Sequence, residues 1–239
     1  MKIIVFREID SLYLHAATVF TQQAEQAIQS RGRFIVLLSG GLTPRPLYQL
    51  LAQDVWRAQI DWSNVVVGWS DERCVPADHA ASNYKLAYEA LLSHVPIPAD
   101  HVLRIDGEID PEEAASTYEA NLRRVIGSES GADLALLGLG TDGHTASLFP
   151  AHPALHEDEC WFVPVHVPEM AQPWRISATL PLLNASRRAL FLVTGKEKAH
   201  ALARIRNGAF LPAGLIRPQA GGAVWLADQA ATSQSRKNR

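Results

Sequence analysis

Short runs of purely apolar residues alternate with longer amphipathic segments along this chain, and that alternation limits the folds open to it. Four such runs are candidates for buried strands: 34–38, 65–67, 134–137 and 190–193. A strand that is apolar on both faces is typical of a parallel sheet covered on each side by helices. The pattern therefore predicts an α/β fold with an open, mostly parallel, Rossmann-like sheet and helices on both faces.

Weaker strand signals occur at the start of the chain and through its second half. They lie at 3–6, 102–105, 161–167, 175–179 and 223–226, and they predict a smaller β-containing C-terminal portion. Helices are predicted between the strands, at 12–28, 44–52, 83–92, 111–125 and 196–205. We expect a single α/β domain over 1–231, followed by a polar, disordered tail over 232–239.

Charge and cysteine content exclude several classes of function. The net charge is −3 and no stretch is polybasic, so we expect neither nucleic acid nor a membrane surface as a partner. No window approaches the roughly 18 apolar residues of a membrane span. Cys74 and Cys160 lie far apart, which favours a reduced compartment. These observations predict a cytoplasmic protein. We expect a small-molecule partner, and the sequence does not distinguish a monomer from a small homo-oligomer.

Three chemically unusual segments follow directly after predicted strands, at 39–44, 70–73 and 138–150. In open α/β sheets, ligands bind outside the carboxyl ends of the strands. If the three strands are parallel neighbours, the three segments converge on one crevice. That convergence predicts a binding site built from all of them.

The first segment joins a strand to a predicted helix. Gly40 and Gly41 let backbone N–H groups approach a ligand closely, and Thr43 adds a hydroxyl donor. A helix N-terminus also favours an anion, so the segment predicts a phosphate-binding turn. The alternative is a tight turn in which Thr43 only caps the helix, and the spacing favours neither interpretation.

The second segment places three charged residues after an apolar strand. Side chains alternate along an extended chain, so Asp71 and Arg73 are expected to share a face toward the ligand. A guanidinium binds phosphate through two parallel hydrogen bonds, which makes Arg73 a candidate for substrate binding. The alternative is a surface cluster of salt bridges.

The third segment contains the candidate general base, His144. The stretch 138–143 matches the dinucleotide pattern GxGxxG, but Pro150 and Pro153 follow too soon for the helix that such a site needs. A histidine on a glycine turn suits proton transfer near neutral pH. Asp142, two residues earlier, is expected to orient the imidazole and to stabilise its protonated form.

Two further cations complete the set of candidates. Arg175 and Lys198 are candidates for contacts with a phosphate or an oxyanion, although each alone is more typical of a solvated surface charge. The remaining histidines lack the spacing of metal ligands, so we expect no metal and no cofactor.

Together and in this order, the motifs resemble those of the 6-phosphogluconolactonases, within the glucosamine/galactosamine-6-phosphate isomerase superfamily. The resemblance covers about residues 8–230 and rests on segments 39–44, 69–76, 82–84, 138–150, 175–177, 194–198 and 211–213. It implies hydrolysis of 6-phospho-D-glucono-1,5-lactone to 6-phosphogluconate. It also implies that His144 is the base and Asp142 its neighbour, with Arg73, Arg175 and Lys198 around the phosphorylated substrate.

Three positions bear on that resemblance. Leu42 stands where the family often has a small hydroxyl residue, and Ala151 stands where glycine is common. The related glucosamine-6-phosphate deaminases usually carry a carboxylate five residues after the histidine, where this chain has Phe149. The resemblance therefore favours a lactonase over a deaminase. A catalytically silent sugar-phosphate sensor is the remaining alternative.

Overall fold

The structure is a computed structural model that describes residues 1–127, 131–218 and 220–233. Its described strands are β1 (Lys2–Phe6), β2 (Phe34–Leu38), β3 (Val65–Trp69), β4 (Asp71–Arg73), β5 (Leu134–Gly138), β6 (Phe162–His166), β7 (Trp174–Ala178), β8 (Ala189–Val193) and β9 (Ala223–Asp228). Its described helices are α1 (Ile9–Arg31), α2 (Arg45–Leu51), α3 (Asp54–Arg57), α4 (Asn83–Ala90), α5 (Pro111–Ile126), α6 (Leu180–Ala185), α7 (Ala199–Arg206) and α8 (Gln229–Thr232).

The larger of two sheets contains six strands in the order β1-β9-β8-β5-β2-β3, and every neighbouring pair is parallel. The strands β2, β3 and β8 are buried along their full length. Full burial is expected where helices cover both faces of a parallel sheet. The predicted α/β fold with an open, mostly parallel sheet is confirmed.

The direction in which the chain builds this sheet reverses between β2 and β5. From β2 the chain steps to β3 on one side, whereas β5, β8 and β9 follow one another on the other side. The loops that follow β2 and β5 therefore diverge from the carboxyl ends of these strands and leave a crevice between them. Ligands of open α/β sheets bind in this crevice.

A smaller antiparallel sheet, in the order β4-β7-β6, stands beside this crevice. Its strand β4 follows β3 after one residue, Ser70, which joins the two sheets. The Ser70 N–H donates to the carbonyl oxygen of Leu38 (2.9 Å), and its own carbonyl accepts from the N–H of Ala178 (2.7 Å). The predicted smaller β portion is this sheet, and it includes residues 71–73 as well as the later strands.

The helix α1 shows how the apolar spacing produces the core. Residues three or four positions apart are buried along one face: Leu12, Ala16, Phe20, Ala24 and Ala27. The ring of Phe20 meets that of Phe34 on β2 edge to face, with 5.3 Å between centroids. The helix ends at Gly32, whose φ of 78° is readily adopted by glycine.

Two sequence-based expectations need comment. The predicted strand 102–105 is wrong, because Val102 makes only an isolated parallel bridge with Val67 and the following residues are irregular. In the predicted tail, Thr232 closes α8, and 234–239 lie outside the described residues. The division into one domain over 1–231 stays a prediction. In the part of the chain that the structure describes, no helix combines the length and the apolar character needed to cross a membrane.

We expect Ala151→Gly to raise the free energy of unfolding by about 1 kcal/mol. Ala151 has a φ of 59°, in the left-handed region where a Cβ is strained and glycine is not. Urea denaturation followed by circular dichroism measures the change. Ala203→Gly in α7 is the matched control, since its loss of helix propensity should instead destabilise by about 0.5–1 kcal/mol. Equal effects of the two substitutions would contradict the assignment of strain.

Candidate active site

A cavity of about 410 Å³ opens at the carboxyl edge of the larger sheet. All the predicted site residues except Asp142 line it: Gly40, Gly41, Thr43, Asp71, Arg73, His144, Arg175 and Lys198. The loops after β2, β5 and β8 and the strands β4 and β7 supply these side chains. The structure therefore brings together segments that the sequence separates by more than 150 residues.

The two glycines after β2 are required for different reasons. A Cβ on Gly40 would overlap the side-chain amide of Asn83, so only glycine lets this loop pack against the start of α4. Gly41 has open space around it but a φ of 85°, which favours glycine. The backbone of the turn thus faces the cavity with little side-chain cover.

Thr43 does not cap the following helix. The helix α2 begins at Arg45 behind Pro44, and no side-chain hydrogen bond caps it. The Thr43 hydroxyl oxygen instead lies 3.4 Å from that of Thr194, and the Tyr13 hydroxyl donates to the Thr43 carbonyl (2.9 Å). The capping interpretation is wrong, and Thr43 is one of the residues that line the cavity.

Side chains alternate along β4, so Asp71 and Arg73 face the cavity while Glu72 faces the start of α4. Asp71 and Arg73 line the cavity, and the Arg73 guanidinium donates to the carbonyl of Ala81 (2.6 Å). Asp71 is 5% exposed and Glu72 is 3% exposed. Because both carboxylates are buried, the alternative of a surface salt-bridge cluster is wrong.

Glu72 holds the start of α4, a role that the sequence analysis did not assign. Its carboxylate accepts hydrogen bonds from the backbone N–H groups of Arg73 (2.7 Å), Asn83 (2.8 Å) and Tyr84 (2.8 Å) and from the Ser82 hydroxyl (3.1 Å). Burial raises the pKa of Glu72, while the three backbone hydrogen bonds act in the opposite direction. The residue fixes Asn83 and Arg73 beside the cavity.

Glu72→Gln should lower the free energy of unfolding by about 2–3 kcal/mol. A glutamine amide offers one acceptor oxygen where the carboxylate offers two, so at least one buried N–H of this cluster loses its partner. Chemical denaturation of both proteins gives the difference. Glu169→Gln, at an exposed position, serves as the control and should change stability by less than about 0.5 kcal/mol.

Two guanidinium groups stand side by side in the wall formed by the small sheet. The register of β4 and β7 places Arg73 directly opposite Arg175. The Nε atom of each is buried and has no hydrogen-bond partner among the described residues. Burial, and then the neighbouring charge of Arg73, lowers the pKa of Arg175. Two adjacent cations with free donors are suited to binding an anion.

The glycine turn after β5 presents His144 to the cavity. The Gly140 N–H donates to the His144 carbonyl (2.8 Å) and the Gly143 N–H to the Gly140 carbonyl (3.0 Å). A Cβ on Gly140 would overlap the imidazole, and Gly143 has a φ of 97°. Residues 139–152 form turns and extended chain instead of a helix, which agrees with rejecting a dinucleotide site.

Asp142 orients His144 through two hydrogen bonds to one oxygen. Asp142 Oδ1 lies 2.6 Å from His144 Nδ1 and accepts from the His144 backbone N–H at 3.0 Å. Burial raises the pKa of Asp142, but the hydrogen bonds and charge of His144 outweigh it and leave the pKa below its ordinary value. Because an ionised carboxylate only accepts, Nδ1 carries the proton and Nε2 keeps its lone pair.

Phe149 packs against His144. Its ring centroid lies 4.6 Å from that of His144, and the Arg175 guanidinium lies 5.9 Å from the same ring. The position at which deaminases were expected to carry a carboxylate is therefore filled by a buried apolar ring, 7% exposed.

Most of the length of this chain is similar to known proteins. The family model described as glucosamine-6-phosphate isomerases/6-phosphogluconolactonase matches residues 7–225. The chain belongs to this family. A 6-phosphogluconolactonase of Rattus norvegicus is 38% identical over 237 residues, covering 95% of this chain and 91% of the relative. One from Synechocystis sp. is 41% identical over 225 residues, covering 90% of each.

The crystal structure of 6-phosphogluconolactonase from Thermotoga maritima superposes with a TM-score of 0.85. It is 29% identical, and the match covers 95% of this chain and 99% of that one. The family resemblance inferred from the motifs is confirmed by these findings.

Near the cavity, two buried polar residues were left without a role by the sequence analysis. The Asn83 amide donates to the Asp71 carbonyl (2.8 Å), and the Ser147 hydroxyl donates to Asp71 Oδ2 (2.8 Å). Both lie within segments that carry the resemblance, but their partner is 12 and 76 residues away. Among the described residues, no group of three His, Cys, Asp or Glu side chains could hold a metal ion.

Proposed function

We propose that this protein hydrolyses 6-phospho-D-glucono-1,5-lactone to 6-phosphogluconate, the second step of the oxidative pentose phosphate pathway. The observation that carries the proposal is the pairing of His144 with Asp142 at a cavity that also contains two guanidiniums with free donors. Relatives named 6-phosphogluconolactonase that are 38–41% identical over most of the chain support the substrate. We place the reaction in the cytoplasm, with no metal or cofactor required.

The protein binds its substrate mainly through the phosphate group. The backbone of Gly40 and Gly41, the Thr43 hydroxyl and the cations Arg175 and Lys198 surround the cavity and favour a phosphate. Fixing the phosphate holds the lactone carbonyl near the imidazole. Orientation of this kind accounts for a large part of catalysis when no covalent intermediate forms.

His144 then acts as a general base through Nε2. It removes a proton from water as the water oxygen bonds to C1, and the carbonyl oxygen becomes an oxyanion that cationic groups stabilise. The bond between C1 and the ring oxygen breaks, and the imidazolium returns its proton to that oxygen. A δ-lactone is already activated, so a positioned base worth about 10²–10⁴-fold, together with electrostatic stabilisation, is sufficient.

The direct test is a coupled assay with freshly generated lactone, corrected for spontaneous hydrolysis. We expect rapid formation of 6-phosphogluconate and no release of ammonia from glucosamine 6-phosphate. Ammonia release would support a deaminase instead. Binding of 6-phosphogluconate without any acceleration of lactone loss over buffer would favour a sugar-phosphate sensor.

A further inference from the structure

Ser147 lies where three parts of the site meet. It follows the turn that carries His144, its side chain is fully buried, and its N–H donates to the hydroxyl of Ser177 on β7 (3.1 Å). Its own hydroxyl donates to Asp71 Oδ2 at 2.8 Å. The same hydroxyl oxygen lies 3.5 Å from Nη1 of Arg175.

The opposite charges of Asp71 and Arg175 are close to each other but not directly paired. Among the salt bridges formed by the described residues, none joins these two side chains. Asp71 nevertheless acts on the guanidinium, since its charge raises the pKa of Arg175 against the larger effects of burial and of Arg73. Opposite charges attract more strongly in a partly buried site than in water. A direct pair is therefore the natural alternative to the arrangement that the structure shows.

The guanidinium of Arg175 is left without a strong hydrogen-bond acceptor as a result. Its Nε has no hydrogen-bond partner among the described residues. Its Nη2 contacts the Met170 sulfur at 3.0 Å, and a thioether is a weak acceptor. The contact of Nη1 with Ser147 is at the long limit of a hydrogen bond.

We propose that Ser147 is a positioning residue whose hydroxyl keeps Asp71 from pairing with Arg175 and so leaves the guanidinium free for the anionic substrate. The identity of that anion rests on the proposed function. By donating to Asp71, the hydroxyl satisfies a buried carboxylate oxygen that would otherwise be free to pair with Arg175. If that pair formed, it would neutralise Arg175, and an incoming phosphate would have to displace Asp71.

Ser147→Ala tests this arrangement by two independent measurements. In a crystal structure of the variant, a carboxylate oxygen of Asp71 should form a direct salt bridge with Arg175. Isothermal titration calorimetry with 6-phosphogluconate should show binding weakened on the order of tenfold. Ser186→Ala is the matched control, because it removes a similarly buried hydroxyl that donates to the Leu182 carbonyl (3.0 Å) and does not line the cavity. Its affinity should stay within about twofold of the wild type.

The same pair of measurements in an Asp71→Asn background separates this mechanism from a packing defect. A neutral amide cannot form the ion pair, so adding Ser147→Ala to Asp71→Asn should change the affinity by less than about twofold. An equal loss in both backgrounds would overturn the proposal, as would a Ser147→Ala structure without the salt bridge. Lactone turnover by the wild type is measured separately, so a failure of the proposed function is distinguishable from a failure of this one.

Discussion

Replacing His144 with alanine is expected to lower kcat/KM for 6-phosphogluconolactone by about 10²–10⁴-fold. The substitution removes the proton acceptor while leaving Arg73, Arg175 and Lys198 in the cavity wall. Rates are to be measured by the coupled assay, with subtraction of spontaneous hydrolysis. Because the imidazole is not part of the proposed phosphate-binding group, calorimetric binding of 6-phosphogluconate should stay close to that of the wild type.

His200→Ala is the matched control for this experiment. His200 is exposed on α7 and does not line the cavity, so its removal should leave the rate unchanged. Thermal unfolding of both variants checks that neither has lost its fold. Wild-type turnover by the His144→Ala protein would refute the assignment of the base, even if the protein proved to be a lactonase.

The fold was largely predictable because both faces of the central strands are buried. A strand that helices cover on both faces consists almost entirely of apolar residues. Each of the four predicted apolar runs accordingly falls inside an observed strand: 34–38, 65–67, 134–137 and 190–193. The location of the site followed from the same pattern, since polar segments after such strands meet at one edge of the sheet.

The strand β4 was not predictable by the same reasoning. Its three residues are all charged, and no alternation of apolar and polar residues marks it. It is extended because it pairs with β7, and Glu72 is buried because the start of α4 supplies its hydrogen-bond donors. Both causes are tertiary contacts, which the local pattern of apolar and polar residues does not predict.

The contacts between site residues were likewise predictable only where the residues are close in sequence. Asp142 and His144 are two residues apart, so their contact could be inferred from the sequence. The contact of Ser147 with Asp71 spans 76 residues, and the pairing of Arg73 with Arg175 depends on the register of two strands. The contact between the proposed base and its carboxylate could therefore be predicted from the sequence, whereas the arrangement of charges around it required the structure.

Asp142→Asn is expected to lower kcat by about 10²–10⁴-fold. The carboxylate accepts the Nδ1 proton and so keeps the Nε2 lone pair toward the cavity, whereas an amide can present its NH₂ group to Nδ1 and favour the opposite tautomer. It also lacks the charge that stabilises the imidazolium formed during the reaction. KM should change little, because Asp142 does not line the cavity. A large rise in KM with an unchanged kcat would place Asp142 in substrate binding instead.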